Sequence, residues 1–148
     1  MSAKRYLEDF AVGEIIRGGA LRVEPDAIKD FAAKFDPQVF HLDEQAAKDT
    51  FFGGLAASGW HTAAMTMRLI VETLPIAGGV IGAGGTIAWP KPLRPGAVLG
   101  IECEILEIRP SRSKPDRGML KIRFTTREDT GEIAQTLVAD LVVPRRPA

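Results

Sequence analysis

The sequence predicts an α+β architecture in which one long antiparallel sheet curls around a single buried helix. Three observations carry this expectation. The segment Gly59–Leu74 is apolar on nearly every face, the pattern of a helix surrounded by other structure. Downstream, apolar and polar residues alternate with period two over two long runs, as they do in strands with one buried face. Clusters of Gly, Pro and charge punctuate these runs at hairpin spacing. No repeat, low-complexity segment or linker interrupts the 148 residues, so residues 1–148 are expected to form one domain.

The elements follow in order. Two short strands are expected near Ile15-Ile16 and Leu21–Val23. Pro25 suits a first helical turn, and behind it Ile28, Phe31, Ala32 and Phe35 recur at helical spacing. Asp36-Pro37 should end that helix, because a residue before proline avoids the α region. Asp43 is placed to cap a short helix over Glu44–Asp49. In Gly59–Leu74 the strongest polar side chains, His61, Arg68 and Glu72, fall on one narrow stripe. Gly78–Trp89 reads as a weaker strand whose missing side chains allow close backbone approach, ended by Pro90, Pro92, Pro95 and Gly96. Leu99–Ile105 and Leu120–Thr125 alternate cleanly, and Ile133–Val143 is a third long run, apolar on both faces for much of its length. The charge-dense segments Arg109–Gly118 and Asp129–Gly131 read as hairpin connections.

Composition narrows the function classes. Apolar residues make up 45% of the chain, enough for a packed core and against disorder. A formal net charge of zero and a pI near 6.7 give no reason to expect a nucleic-acid or anionic-membrane partner. MSAKRYLEDF lacks the apolar core of a secretory signal, and no apolar stretch is long and uninterrupted enough for a transmembrane helix. The lone Cys103 leaves no intrachain disulfide and fits a reducing cytoplasm, the expected location.

The most informative stretch is Phe35–Thr62. It holds both histidines of the chain, and His41 follows Asp36 by five residues across a proline-containing turn. Eighteen residues beyond His41, Gly59 opens the long apolar segment. A carboxylate, an imidazole and a glycine-opened helix start supply an acid/base pair and backbone N–H groups for an oxyanion. Each has a bland counterpart: a helix-ending Asp-Pro, a loop histidine, and a glycine needed for backbone shape alone. On spacing alone the bland reading of Asp36 and His41 is favoured.

In this pattern the chain resembles the MaoC-like dehydratases, the (R)-specific enoyl-CoA hydratases of the hot-dog fold. Their motif D-x-N-P-[LIV]-H compares with Asp36-Pro37-Gln38-Val39-Phe40-His41, which keeps the separation of acid and histidine. Gln38 stands where the family often has Asn, the proline is displaced to Pro37, and Ser58 stands where many members have His. The likeness covers essentially the whole chain, from Tyr6–Gly13 to the last strand.

The resemblance implies a hydratase/dehydratase acting on a 2-enoyl or (R)-3-hydroxyacyl thioester of CoA, or of a carrier protein, with Asp36 and His41 sharing the water and Gly59 holding the thioester oxygen. It implies no metal and no redox cofactor, Ser58 and Trp60 beside the glycine as substrate-binding positions, and a homodimer or higher homo-oligomer with its clefts between subunits. Lys91 and Arg94 are candidates for CoA phosphate contact. Arg109, Arg112, Lys114 and Arg117 are candidates as well, although a solvated hairpin tip is the simpler reading of that loop.

Rival readings leave traces too. A thioesterase of this fold usually carries its acid on the central helix, where only Glu72 is available, more than three turns in. A non-catalytic acyl-CoA-binding module would not need the full Asp36, His41 and Gly59 set. Ser58 lacks the G-x-S-x-G elbow, since Ala56 stands at its first glycine position. Two histidines with Asp36 or Asp43 lack metal-site spacing. His61 is expected to be packed, and Cys103 to be inert core.

Overall fold

The computed structural model describes residues 3–148. A 3-10 turn at Leu7–Asp9 precedes strand β1 (Ile15–Arg22) and helix α1 (Pro25–Phe35). Two single-turn helices follow, α2 (Val39–Leu42) and α3 (Glu44–Ala47), and then the long helix α4 (Gly59–Thr73). Strands β2 (Ile81–Ala88), β3 (Val98–Pro110), β4 (Arg117–Glu128) and β5 (Ile133–Pro144) complete the chain. The strands form one antiparallel sheet in the order β1-β3-β4-β5-β2, with α4 packed on its inner face. This is the α+β hot-dog architecture expected from the sequence.

Local sequence explains most boundaries. Pro25 occupies the first turn of α1, and Asp36 closes that helix by donating its N–H to the Ala32 carbonyl at 2.9 Å. The Asp43 carboxylate accepts from the N–H groups of Gln45 and Ala46, both at 2.9 Å, and so starts α3. On β3, Leu99, Ile101, Cys103 and Ile105 face inward. Opposite them Leu120, Ile122 and Phe124 of β4 do the same, and all seven are buried. Val143 of β5 and Ile28 of α1 join this core.

The structure corrects four expectations. The two short strands near Ile15 and Leu21 are one strand, joined through an irregularity between Gly18 and Leu21. Gly19 there has φ +117°, and a Cβ on it would sit 2.8 Å from the Gly100 Cα, so the bend needs a residue without a side chain. The hairpin connection expected over Arg109–Gly118 is shorter, because Arg109 and Pro110 still pair with Met119 and Gly118. Charged side chains on the outer face do not end a ladder whose other face is buried. β5 buries alternate residues over most of its length rather than both faces.

Helix α4 is the fourth correction, since it is not wrapped all round. His61, Thr62, Met65, Thr66, Leu69 and Ile70 are buried, while Trp60, Met67 and Val71 are exposed by 60%, 40% and 55%. One five-stranded sheet covers only one side of a helix. The polar stripe is also split: Arg68 and Glu72 are exposed and paired at 3.1 Å, while His61 is covered.

Candidate active site

The acid and the histidine meet because the chain turns tightly after α1. Pro37 cannot continue the helix, and Gln38 N–H donates to the Asp36 carbonyl at 2.8 Å. The single turn of α2 then carries His41 inward, where it is buried. The result is an Asp36 Oδ2 to His41 Nε2 distance of 3.3 Å.

Backbone contacts fix the imidazole. The segment Leu55–Ser58 threads between α2 and the stretch Pro92–Arg94: Ala56 N–H donates to the Phe40 carbonyl at 3.0 Å and Ala57 N–H to the Leu93 carbonyl at 2.8 Å. The Ala56 carbonyl is thereby presented to His41 Nδ1 at 2.6 Å. A carbonyl only accepts, so Nδ1 carries the proton and donates it. In the neutral ring Nε2 is then a bare lone pair, placed beside a carboxylate oxygen. Nε2 accepts from a water when the ring is neutral and donates directly to the Asp36 carboxylate when the ring is protonated.

Asp36 is tuned for the charged state. Burial pushes its carboxyl up, but the hydrogen bonds from Gln38 and from the Ser58 hydroxyl, with the charge of His41, outweigh that and hold it below the ordinary carboxylate value. The Gln38 amide reaches Oδ1 at 2.5 Å, leaving Oδ2 to His41.

Ser58 is the N-cap of α4 and is fully buried. Its carbonyl accepts from the N–H groups of His61 and Thr62, at 2.9 and 3.0 Å, and its hydroxyl accepts from Trp60 N–H at 3.3 Å. Of the first four helical N–H groups, only that of Gly59 has no acceptor among the described residues. It sits at the positive end of the helix dipole. Packing also requires this glycine: a Cβ on it would lie 2.8 Å from ring carbons of Trp89.

A cleft of about 390 Å³ opens over these groups, lined by His41, Gly59, Thr62, Phe52, Trp89 and Lys91 among others. Asp36 does not line it and reaches it through His41. Lys91 stands at the rim, its ammonium paired with Glu128 at 2.6 Å and Glu132 at 3.2 Å. The Glu128 bond, more than the burial that opposes it, raises its pKa above the usual lysine value. Arg94 holds the loop beside the cleft by donating to the carbonyls of Phe52 and Leu55. Trp60 lies outside the cleft with its ring edge-on to Trp89, centroids 5.3 Å apart. Arg109, Arg112, Lys114 and Arg117 cluster at the opposite end of β4 from Glu128, roughly 35 Å away at the rise of an extended strand. Within one chain they do not reach this cleft.

The remaining candidates are structural. His61 stacks flat on Phe31, with centroids 4.8 Å apart and planes at 11°, and burial pushes its pKa below the usual histidine value. Burial raises the Cys103 thiol to about 12, which leaves it unreactive. No group of three His, Cys, Asp or Glu side chains among the described residues is arranged to hold a metal ion. A second hollow of about 340 Å³ over β1 and β3 holds Glu102 and Arg127 paired with each other at 2.8 Å, away from this chemistry.

Sequence reasoning missed three parts of the site. Ala56 acts through its carbonyl, which no residue type announces. Thr62 and Trp89 line the cleft, and Trp89 is held by Gln135, 46 residues away, through an indole N–H to Oε1 bond of 2.8 Å. The one polar side chain at an inward position of Ile133–Leu137 was the available signal for Gln135.

Comparison with known proteins shows the family. Residues 11–125 match the family model described as the MaoC like domain. A Bacillus subtilis protein named YdeM, itself uncharacterized, is 33% identical over 123 residues, covering 81% of this chain and 85% of its own. A crystal structure of a MaoC-like dehydratase from Rhodospirillum rubrum is 53% identical and superposes with a TM-score of 0.94, covering 97% of this chain and 99% of that one. The unliganded R-hydratase PhaJ1 of Pseudomonas aeruginosa is 25% identical with a TM-score of 0.77, over 95% of this chain and 86% of its own. A cleft lined by His41 and the start of α4, with Asp36 behind the histidine, thus sits in a chain that belongs to the MaoC-like domain family.

Proposed function

We infer that this protein is a hydratase/dehydratase that interconverts a 2-enoyl and an (R)-3-hydroxyacyl thioester of CoA. One observation carries the reading: His41, its tautomer set by Ala56, sits 3.3 Å from Asp36 and lines the same cleft as the unpaired Gly59 N–H. The likeness to an R-hydratase and to a MaoC-like dehydratase supports it.

In the hydration direction the thioester oxygen accepts the Gly59 N–H. A water held between Nε2 of His41 and Oδ2 of Asp36 attacks C3. As the new C–O bond forms, one water proton passes to the dyad and negative charge moves to the thioester oxygen. The helix start stabilises that charge, and one such donor is typically worth ~3 kcal/mol in the transition state. The dyad returns a proton to C2, so water is added across the double bond and the enzyme ends as it began. Elimination retraces these steps. Ser58 supports the acid and the helix start, Trp60 backs Trp89, and Lys91 and Arg94 stand at the mouth as the nearest cations to a CoA tail.

The thioesterase alternative fares poorly. Glu72, the one carboxylate on α4, is exposed and paired with Arg68. It does not line the cleft with Gly59.

The same reading includes a homodimer. β2 is the last strand of the sheet, its outer edge unpaired among the described residues, and open edges invite pairing. Trp60, Met67 and Val71 expose an apolar stripe on α4. β2 leads directly into Trp89 and Lys91 of the cleft, so a second copy paired there would lie beside the acyl site.

Product stereochemistry tests the activity. Crotonyl-CoA incubated with the protein should give (R)-3-hydroxybutyryl-CoA, which an (S)-specific dehydrogenase does not oxidise. Strong coupled oxidation by the (S)-specific enzyme rejects the assignment.

A further inference from the structure

The segment that fixes the His41 imidazole has no regular structure of its own. Residues 48–58 join α3 to α4 without helix or strand. Gly53-Gly54 lies within it, Gly53 with φ +66°, and adjacent glycines leave the backbone free to move. Ala56 nonetheless holds its carbonyl 2.6 Å from His41 Nδ1, and Phe52 keeps its ring beside the imidazole, centroids 6.0 Å apart.

Leu93-Arg94, flanked by Pro92 and Pro95, holds this segment in place. The Leu93 carbonyl accepts Ala57 N–H at 2.8 Å. The Arg94 guanidinium donates through Nη1 to the Leu55 carbonyl at 3.3 Å and through Nη2 to the Phe52 carbonyl. It therefore ties together the two sides of Gly53-Gly54. It also lies against Gly54, where a Cβ would meet Nη1 at 3.4 Å. Ala56 is gripped on both flanks, Leu55 by the side chain of Arg94 and Ala57 by the backbone of Leu93. A planar guanidinium spans two acceptors as one rigid fork, and an ammonium on a flexible stem does not.

We propose that Arg94 is a positioning residue for His41: by tying Phe52 to Leu55 across the glycine pair it sets the Ala56 carbonyl, and with it the proton on Nδ1, rather than gripping the CoA phosphates. The inference rests on the hydratase reading above. Without the fork the Ala56 carbonyl drifts from Nδ1, and part of the neutral imidazole carries its proton on Nε2. That form presents a donor where the water needs an acceptor, so it is idle in hydration. The loss falls on turnover and is the same whatever group the thioester sulfur carries.

Two variants and two substrates separate the roles. Arg94→Lys keeps the charge and removes the fork, while Arg94→Met removes both. Each is checked for a cooperative melt and assayed beside the wild type on crotonyl-CoA and on crotonyl-N-acetylcysteamine, which has no phosphates. Ring-nitrogen NMR signals of His41, identified by their loss in His41→Gln, are recorded at a pH where the ring is neutral. Both variants should lose about tenfold or more in kcat on both esters, with the ratio of the two KM values as in the wild type. The two ring-nitrogen signals, well separated in the wild type, should move toward each other as the tautomers mix. A KM rise confined to crotonyl-CoA, present in Arg94→Met and absent in Arg94→Lys, makes Arg94 a phosphate contact and overturns the proposal with the hydratase reading intact. Unchanged ring signals overturn it whatever the kinetics. A wild type that hydrates neither ester overturns the hydratase reading and this inference together. Should Arg94→Met not fold, Arg94→Lys decides.

Discussion

At the residue scale, the site depends on which state each group is held in. Ala56 assigns the His41 proton to Nδ1, and the hydrogen bonds to Asp36 keep its carboxyl charged against the pull of burial. Because the folded pKa of Asp36 is depressed, its contribution to stability is present above the unfolded value of 3.8 and is lost as pH falls through the folded value. Gln38→Leu removes one of the two hydrogen-bond donors and leaves desolvation less opposed. The Asp36 pKa should then rise, which an NMR titration of the labelled carboxyl reads directly. An unchanged titration would show that the Gln38 contact at 2.5 Å does not tune the acid. The sequence pointed to Asp36, His41 and Gly59 because their spacing is a local property of the chain. It could not point to Ala56, whose part is played by a carbonyl, or join Trp89 to Gln135, whose pairing exists only once β2 and β5 are adjacent.

At the element scale, α4 is a helix whose first residue, Gly59, lines the cleft and whose body packs on the sheet. Ser58 ends one role and starts the other: it caps the helix and touches the acid. Ser58→Ala should lower stability by about 1 kcal/mol through loss of the cap, seen as a lower denaturation midpoint. Turnover should fall only in part, since no acyl-serine forms in this scheme. Complete loss of turnover in a well-folded Ser58→Ala protein would favour a nucleophilic serine. The alternating strands were legible because burial of one face imposes a period of two. Their ends were not, since β3 and β4 pair well beyond their apolar runs, out to Pro110 and Gly118. Nor was the continuity of β1, which depends on Gly19 crossing close to Gly100.

At the scale of the whole molecule, one sheet covers one side of one helix, and the sequence of α4 is apolar enough for more. The pattern of Gly59–Leu74 reads as buried all round, and within one chain the helix is not. What it could not say is whether the cover comes from the same chain. The exposed stripe of Trp60, Met67 and Val71 identifies the uncovered side. Light scattering at micromolar concentration should therefore give at least twice the chain mass of 16.0 kDa. Val71→Glu, which sets a charge in that stripe, should shift the protein toward monomer with its fold intact. A wild-type monomer under those conditions would contradict the assembly.

The central claim is that Asp36 and His41 act together on one water, with the thioester oxygen at the start of α4. Steady-state hydration of crotonyl-CoA by Asp36→Asn tests it most directly, because the amide keeps the shape of the acid and removes its charge. With folding verified by an unchanged melt, the account predicts a loss of turnover of at least about a hundredfold, the scale of positioned acid–base catalysis. Near-normal hydration by the folded Asp36→Asn protein would contradict it.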